Sequence, residues 1–380
     1  MAQSSMLKVL LVGPFPPPYG GVSVHVLTLQ CLLRKSGIPC RVLNISRGAP
    51  PSDRYLSIRG PLHFILELSR YSLRGWSIHV HINGHNLKSW LVALAAGLAG
   101  ATGRSGHGPT LTIHSGMSPV YLNDRSSGRY LARYLARYLA WITSKVYRHI
   151  IAVSSEIKDA LRLLPVPEAR IEILPAFLPA PVAPLELPAD FLDGCAIPSG
   201  CALSGLRFAS GLHSLPLMFE SWSRVHCPVI STALFFRPEY GFDLLVQAVS
   251  ELRQKHPRLG CVVMGDSENR PEGLPEYIFA IGDVTHESCL AVIAGSRIFV
   301  RSTFSDGDAT SVREAIAFGT PVIASDVVRR PAGTLCFKTG DASDLASKID
   351  SLLSGTRHPP TPTSAPGTNG MHRLLELYSS

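Results

Sequence analysis

The chain has 380 residues, enough for two domains, and its 46% hydrophobic and 17% charged side chains exclude wholesale disorder. Its net charge of +8 suits an anionic ligand or an anionic membrane surface, and with no recognised binding motif beside it that charge does not argue for nucleic acid. Eight cysteines without one C-x-x-C pair exclude a zinc ribbon or a thioredoxin-like motif and suit buried thiols in a reducing cytosol.

At the N-terminus, MAQSSMLKVLLVGPFPPP carries only the short apolar run VLLV, which reads as a first strand, Lys8–Val12, and not as a signal peptide. A helical pattern follows from Val22 to Arg34, then a strand Cys40–Ile45, a helix near Phe64–Ser72 and a strand Ile78–Ile82. Leu87–Ala99 reads as helix; its greasy stretch, Trp90–Ala101, is too short to span a membrane. Next come strand Thr110–His114, a long helix Arg129–Tyr147, strand His149–Val153, helix Glu156–Leu163 and strand Ile171–Leu174. From Leu178 to Cys227 the rhythm breaks: PAPVAPLELP reads as a linker and the rest as irregular. Alternation resumes with strand Val229–Phe236, helix Phe242–Gln254, strands Cys261–Met264 and Ile278–Ile281, helix His286–Ala294 and strand Ile298–Arg301. Helix Val312–Phe318, strand Val322–Ala324 and helix Ser343–Leu353 complete the series; PPTPTSAPGTNG is a second linker before a last helix, Met371–Tyr378. Apolar strands alternating with helices predict α/β architecture with parallel, doubly wound sheets that bind ligands at the carboxyl ends of their strands.

In RYLARYLARYLAWITSKVYRHI, Arg129, Arg133 and Arg137 recur every fourth residue on one helix face. The pattern fits an amphipathic helix covering a sheet; the alternative is a basic, aromatic face resting on anionic lipid. Gly20 and Gly21 follow the first strand and would let a ligand approach a helix N-terminus, although a plain turn explains them equally. Their spacing is not G-x-G-x-x-G, which disfavours an oxidoreductase. His79, His81 and His114 fall near strand ends, and Ser115-Gly116 puts His114 at a strand-to-loop junction; His25 and His85 carry no further signal, and no metal-ligand spacing links the histidines. Arg237, just past a strand, suits either a bound phosphate or a solvated pair with Glu239. In SDGDATSVREAIAFGTPVIAS, Ser311-x-x-Glu314 has the form of a capping box, which would need no ligand. It leaves Asp306, Gly307 and Asp308 unexplained; acids beside a helix N-terminus suit a polyhydroxylated phosphate ligand.

Together these pieces resemble the retaining nucleotide-sugar glycosyltransferases of family 4. The resemblance rests on PPPYGGVSVHV, TIHSG, IIAVSSEI, RIEILPAF, YGFDLLVQAV, VVMGDSE, SDGDATSVREAIAFGTPVIASD and KTGDASDLASKI, spread over nearly the whole chain. It implies the GT-B fold, two Rossmann-like domains facing across a cleft: an acceptor-side domain over 1–178, a linker and irregular segment over 179–227, a nucleotide-sugar domain over 228–358, and over 359–380 a linker and a helix crossing back to the first domain.

The resemblance implies a hexosyltransferase of polysaccharide biosynthesis that retains anomeric configuration, with a nucleotide-sugar as co-substrate, a glycan or lipid-linked acceptor, no metal or other cofactor and no covalent nucleophile. It would work in the cytoplasm, peripherally at the inner membrane face if Arg129, Arg133 and Arg137 meet lipid. Glu314 would hold the ribose hydroxyls, Asp306 and His114 the transferred sugar, and Gly307, Asp308, Ala309, Thr310, Ser311, Val312 and Gly265 the rest of the donor; Gly20 and Gly21 would line the cleft. Two positions depart from the pattern: Asp306 stands where Glu is usual, and Tyr240 stands where the family has a phosphate-binding Lys, so that Arg237 or Arg301 would have to replace it. The alternatives are a GT-B sugar-nucleotide epimerase and a scaffold that binds nucleotide without turnover.

Overall fold

The computed structural model describes residues 7–17, 19–123, 130–164, 166–175, 215–265, 269–355 and 368–379. These fall into two compact units, one within Met1–Pro179, Asp306–Asp308 and Gly367–Ser380, the other within Ala180–Ser305 and Ala309–Pro366.

The first unit runs β1 (Val9–Gly13), α1 (Gly21–Lys35), β2 (Cys40–Asn44), β3 (Leu56–Ser57), α2 (Pro61–Leu73), β4 (Ser77–Ile82), α3 (Leu87–Ala101), β5 (Thr110–Ile113), α4 (Met117–Asn123), α5 (Tyr130–Val146), β6 (His149–Ala152), α6 (Ser155–Arg162) and β7 (Ile171–Ile173). Its parallel sheet has the order β3-β2-β1-β4-β5-β6-β7. Every residue of β1 and β4 is buried, as expected for parallel strands covered on both faces. Alternation along β1 divides the core: Leu10 and Val12 pack with Trp90 and Tyr147 on one face, Val9 and Leu11 with Leu29 and Leu33 of α1 on the other.

The second unit runs α7 (Leu215–Val225), β8 (Val229–Ala233), α8 (Phe242–Leu252), β9 (Gly260–Met264), β10 (Ile278–Gly282), α9 (His286–Ala294), β11 (Ile298–Arg301), α10 (Thr310–Ala317), β12 (Val322–Ser325), β13 (Thr334–Phe337) and α11 (Ala342–Leu353). Its parallel sheet has the order β10-β9-β8-β11-β12-β13. One face buries Val263 and Val300 against Leu245 and Leu345, the other Val262 and Phe299 against Val312 and Ala315. The last helix, α12 (Thr368–Ser379), belongs to the first unit, where Leu374, Leu377 and Tyr378 join the core of Val9 and Leu11.

Each sheet reverses its strand order once, at β1/β4 and at β8/β11. The loops after those strands flank the place where open α/β sheets bind ligands.

The sequence reading missed β3, α4, α7 and β13. β3 and β13 are short edge strands whose partly exposed residues lack a buried apolar run. The segment expected to be irregular as far as Cys227 contains α7 near its end, whose Phe219 and Trp222 pack on Phe279 of β10. The second linker gives way to helix already at Thr368. The first linker, 179–188, lies outside the described residues, as do Arg129 and the side chain of Arg133; of that helix face Arg137 is described and partly exposed. Among the described residues no helix is long and apolar enough to cross a membrane.

Candidate functional site

In the second unit the site residues gather at the carboxyl ends of β8, β11 and β12. β11 delivers the chain to the loop 302–309, from which α10 rises. Ala309 is the residue before the helix and makes no side-chain cap. The capping-box reading is thereby corrected. The helix starts at Thr310, so Ser311 already lies inside it and Glu314 sits more than one turn in. The N–H of Val312 donates to Ala309 O at 3.1 Å and is engaged locally.

Glu314 is buried, and its Oε1 lies 2.6 Å from Nε2 of His286, the first residue of α9. Burial works against a charged His286; the Glu314 hydrogen bond and charge, with Glu287 beside them, outweigh it and hold the imidazole above its ordinary value. Sequence reasoning missed His286, because 28 residues separate it from Glu314 and nothing local marks it. The pair fixes one carboxylate oxygen. A raised value in the folded state means that this stabilisation is complete below about pH 6.5 and is lost as pH rises through the folded value. We expect the unfolding midpoint in urea to fall over that window, and His286→Asn to flatten the change; an unchanged pH profile in the variant would refute it.

Where a phosphate-binding Lys was expected, Tyr240 presents a ring with the Arg301 guanidinium 5.3 Å from its centre. Arg301 Nη1 also donates to Ala233 O at 2.8 Å, at the end of β8. Arg330, which sequence reasoning did not single out, donates through Nε to Ser325 O at 2.8 Å and through Nη2 to Ser325 Oγ at 3.0 Å and Thr303 Oγ1 at 3.4 Å. Two guanidinium groups thus stand where the loop after β11 begins. Arg237 is exposed, and its guanidinium lies 5.5 Å from the Phe235 ring centre. Gly265 follows β9 at a φ of +124°, and a Cβ there would stand 2.0 Å from Leu234 O, so the close approach of the chain just past β8 and β9 requires glycine.

In the first unit Gly20 precedes α1, with its N–H donating to Ser23 Oγ at 2.9 Å. No described atom lies within 4 Å of where a Cβ on Gly21 would stand. Gly21 therefore borders open space at the β1/β4 reversal. His114 follows β5 and is partly buried, its Nε2 lying 3.1 Å from Nδ1 of His81. Asp306 is buried and accepts the Gly307 N–H at 3.1 Å; Asp308 is partly exposed.

Two sheets of this topology define an α/β protein of GT-B type. A family model described as "Glycosyltransferase Family 4" matches residues 19–178, and one described as "Glycosyl transferases group 1" matches 228–355. The chain thus belongs to the glycosyltransferases of GT-B fold. Among solved structures it is similar to Anabaena HepE in complex with UDP-glucose, with a TM-score of 0.62, 13% identity and 97% of each chain covered. It is also similar to sucrose-phosphate synthase from Thermosynechococcus elongatus, with a TM-score of 0.61, 16% identity, and 98% of this chain and 95% of that one covered. UDP-GlcNAc 2-epimerase from Neisseria meningitidis, bound to UDP-GlcNAc, shares the fold at a TM-score of 0.59 and 15% identity, with 98% of this chain and all of that chain covered. No curated protein matches the chain in sequence.

Proposed function

We propose that the chain is a retaining, hexosyl-type glycosyltransferase that moves a sugar from a nucleotide-diphosphate sugar to a glycan or lipid-linked acceptor. The observation that carries this reading is Glu314, a buried carboxylate in α10 held by His286 behind a helix N-terminus that Ala309 does not cap. One carboxylate oxygen can accept from vicinal ribose hydroxyls while the first-turn amides of α10 take the diphosphate. UDP and UDP-sugars in the neighbours' structures support this class of donor.

In the reaction the bond from the anomeric carbon to the phosphate oxygen breaks, the acceptor oxygen bonds to that carbon on the same face, and the acceptor's hydroxyl proton passes to the departing phosphate oxygen. The leaving diphosphate carries away the electron pair. Helix dipole and guanidinium charge stabilise it, from Arg301 and Arg330 with Arg237 as a further candidate, so no metal is required at this step. Asp306 and His114 are assigned to the transferred sugar, and the Gly20-Gly21 loop to ligand approach in the first unit. A polysaccharide precursor handled at the inner membrane face suits a chain of net charge +8.

The test is a thermal-shift and calorimetric panel of UDP-, GDP-, ADP- and dTDP-sugars without added metal. One nucleotide is expected to raise the melting temperature; a ligand at a hundred times its Kd stabilises by about 2.7 kcal/mol. Silence across the panel from folded protein overturns the reading. Tyr240, in place of a Lys, favours one second reading, a scaffold that binds nucleotide without turnover; saturable donor binding with neither transfer nor hydrolysis would select it.

A further inference from the structure

Four imidazoles crowd one face of the first unit's sheet. His79 and His81 stand two apart on β4 and so share a face, the one that α1 covers. His25 comes from α1, and His114 follows β5. Ring centres are 4.2 Å apart for His79–His81, 4.8 Å for His25–His114 and 5.3 Å for His25–His81. His79 has both nitrogens engaged, Nδ1 with the Tyr378 hydroxyl and Nε2 with Thr112 Oγ1 at 2.7 Å, so it forms a wall. The other three each bring a ring nitrogen within 4.8 Å of the rest. His81 Nδ1 and His114 Nε2 are already 3.1 Å apart. Neighbouring ligands on a tetrahedral zinc with Zn–N bonds of about 2.0–2.1 Å stand about 3.3 Å apart. His81 is fully buried; Nδ1 is the nitrogen near His114, and its other nitrogen, Nε2, has no hydrogen-bond partner among the described residues. Burial also pushes His25 down to about 4 and, with the neighbouring imidazoles, depresses His81 and His114 well below the usual histidine range, which keeps all three in the neutral form that ligates.

We propose that His25, His81 and His114 form a three-imidazole site for a transition-metal dication, with a fourth coordination position left open. Three neutral imidazoles select zinc, cobalt, nickel or copper over magnesium and calcium, which take oxygen ligands. The site lies within the first unit and shares His114 with the transferase reading, but metal binding is read out without turnover and does not depend on that reading.

The full chain, stripped with a chelator and dialysed, is titrated with cobalt(II). A visible tetrahedral band is expected to saturate at one equivalent, to be bleached by one equivalent of zinc and to be untouched by magnesium. His25→Asn and His81→Asn are expected to weaken cobalt binding tenfold or more, while His372→Ala, at an exposed pair with Glu376, leaves it unchanged. X-ray absorption of the zinc-loaded wild-type chain should show three imidazoles in the first shell, and decides the matter if the variants fail to fold. No saturable band, equal affinity in the two variants, or a first shell without three imidazoles overturns the proposal.

Discussion

Glu314→Gln is expected to weaken nucleotide-sugar binding by about 1–3 kcal/mol, roughly 5- to 150-fold in Kd. The substitution keeps the volume and removes the charge, so ribose hydroxyls lose a charged acceptor. Calorimetry with the donor chosen by the nucleotide panel reads this directly. The same change strands His286, whose elevated proton affinity rests on Glu314. The variant's loss of stability should therefore be largest below about pH 6.5 and should shrink as pH rises through the folded value of His286. A variant that loses stability but binds donor normally would reduce Glu314 to a structural partner of His286 and remove the main support for the donor site.

Gly241→Ala is expected to destabilise the protein by about 2–6 kcal/mol, summing strain at a left-handed residue and overpacking against a backbone. Gly241 sits at a φ of +66°, and a Cβ there would stand 2.1 Å from Ser302 O, an atom no rotamer can move. Around it Phe304 N donates to Glu239 O at 2.8 Å and Ser302 Oγ to Tyr240 O at 3.1 Å. The turn after β8 and the loop after β11 are thereby stitched together, and the substitution pries them apart where the guanidinium groups stand. Gly319→Ala is the control, since φ is +75° there but nothing lies within 4 Å of a Cβ. It should cost about 1–2 kcal/mol, the price of the left-handed backbone alone. Equal shifts of the urea midpoint for the two variants would show that the Ser302 contact relaxes and would refute the expectation.

The contrast between these two sites explains what the sequence could reveal. Strands such as VLLV and CVVM were legible because a parallel strand buries both faces and leaves an unbroken apolar run. α9 and β11 matched their expected bounds, whereas β8 ends at Ala233, three residues before the Phe236 that its apolar run suggests. Glu314 was recognisable by motif, but its partner was misassigned. A helix start taken at Ser311 makes Glu314 a cap, and moving the start to Thr310 hands it to His286. Arg330 and His286 act through neighbours brought in by other elements, and no spacing rule reports that. The histidines show the limit most clearly: His25 carried no signal in sequence, yet it packs against His81 and His114 because α1 lies on that face of the sheet.

The hydrogen bond between Tyr378 and His79 joins residues 299 positions apart. On a ribosome the first unit therefore emerges long before its own core can close, since Leu374, Leu377 and Tyr378 supply part of the packing around Val9 and Leu11. Domains usually fold in the order in which they are made. Here the sheet of the first unit must wait, with one apolar face incomplete, while the entire second unit is synthesised. A nascent chain stalled after Leu353 should stay sensitive to protease in its first unit, and translation through Tyr378 should convert it to the resistant form.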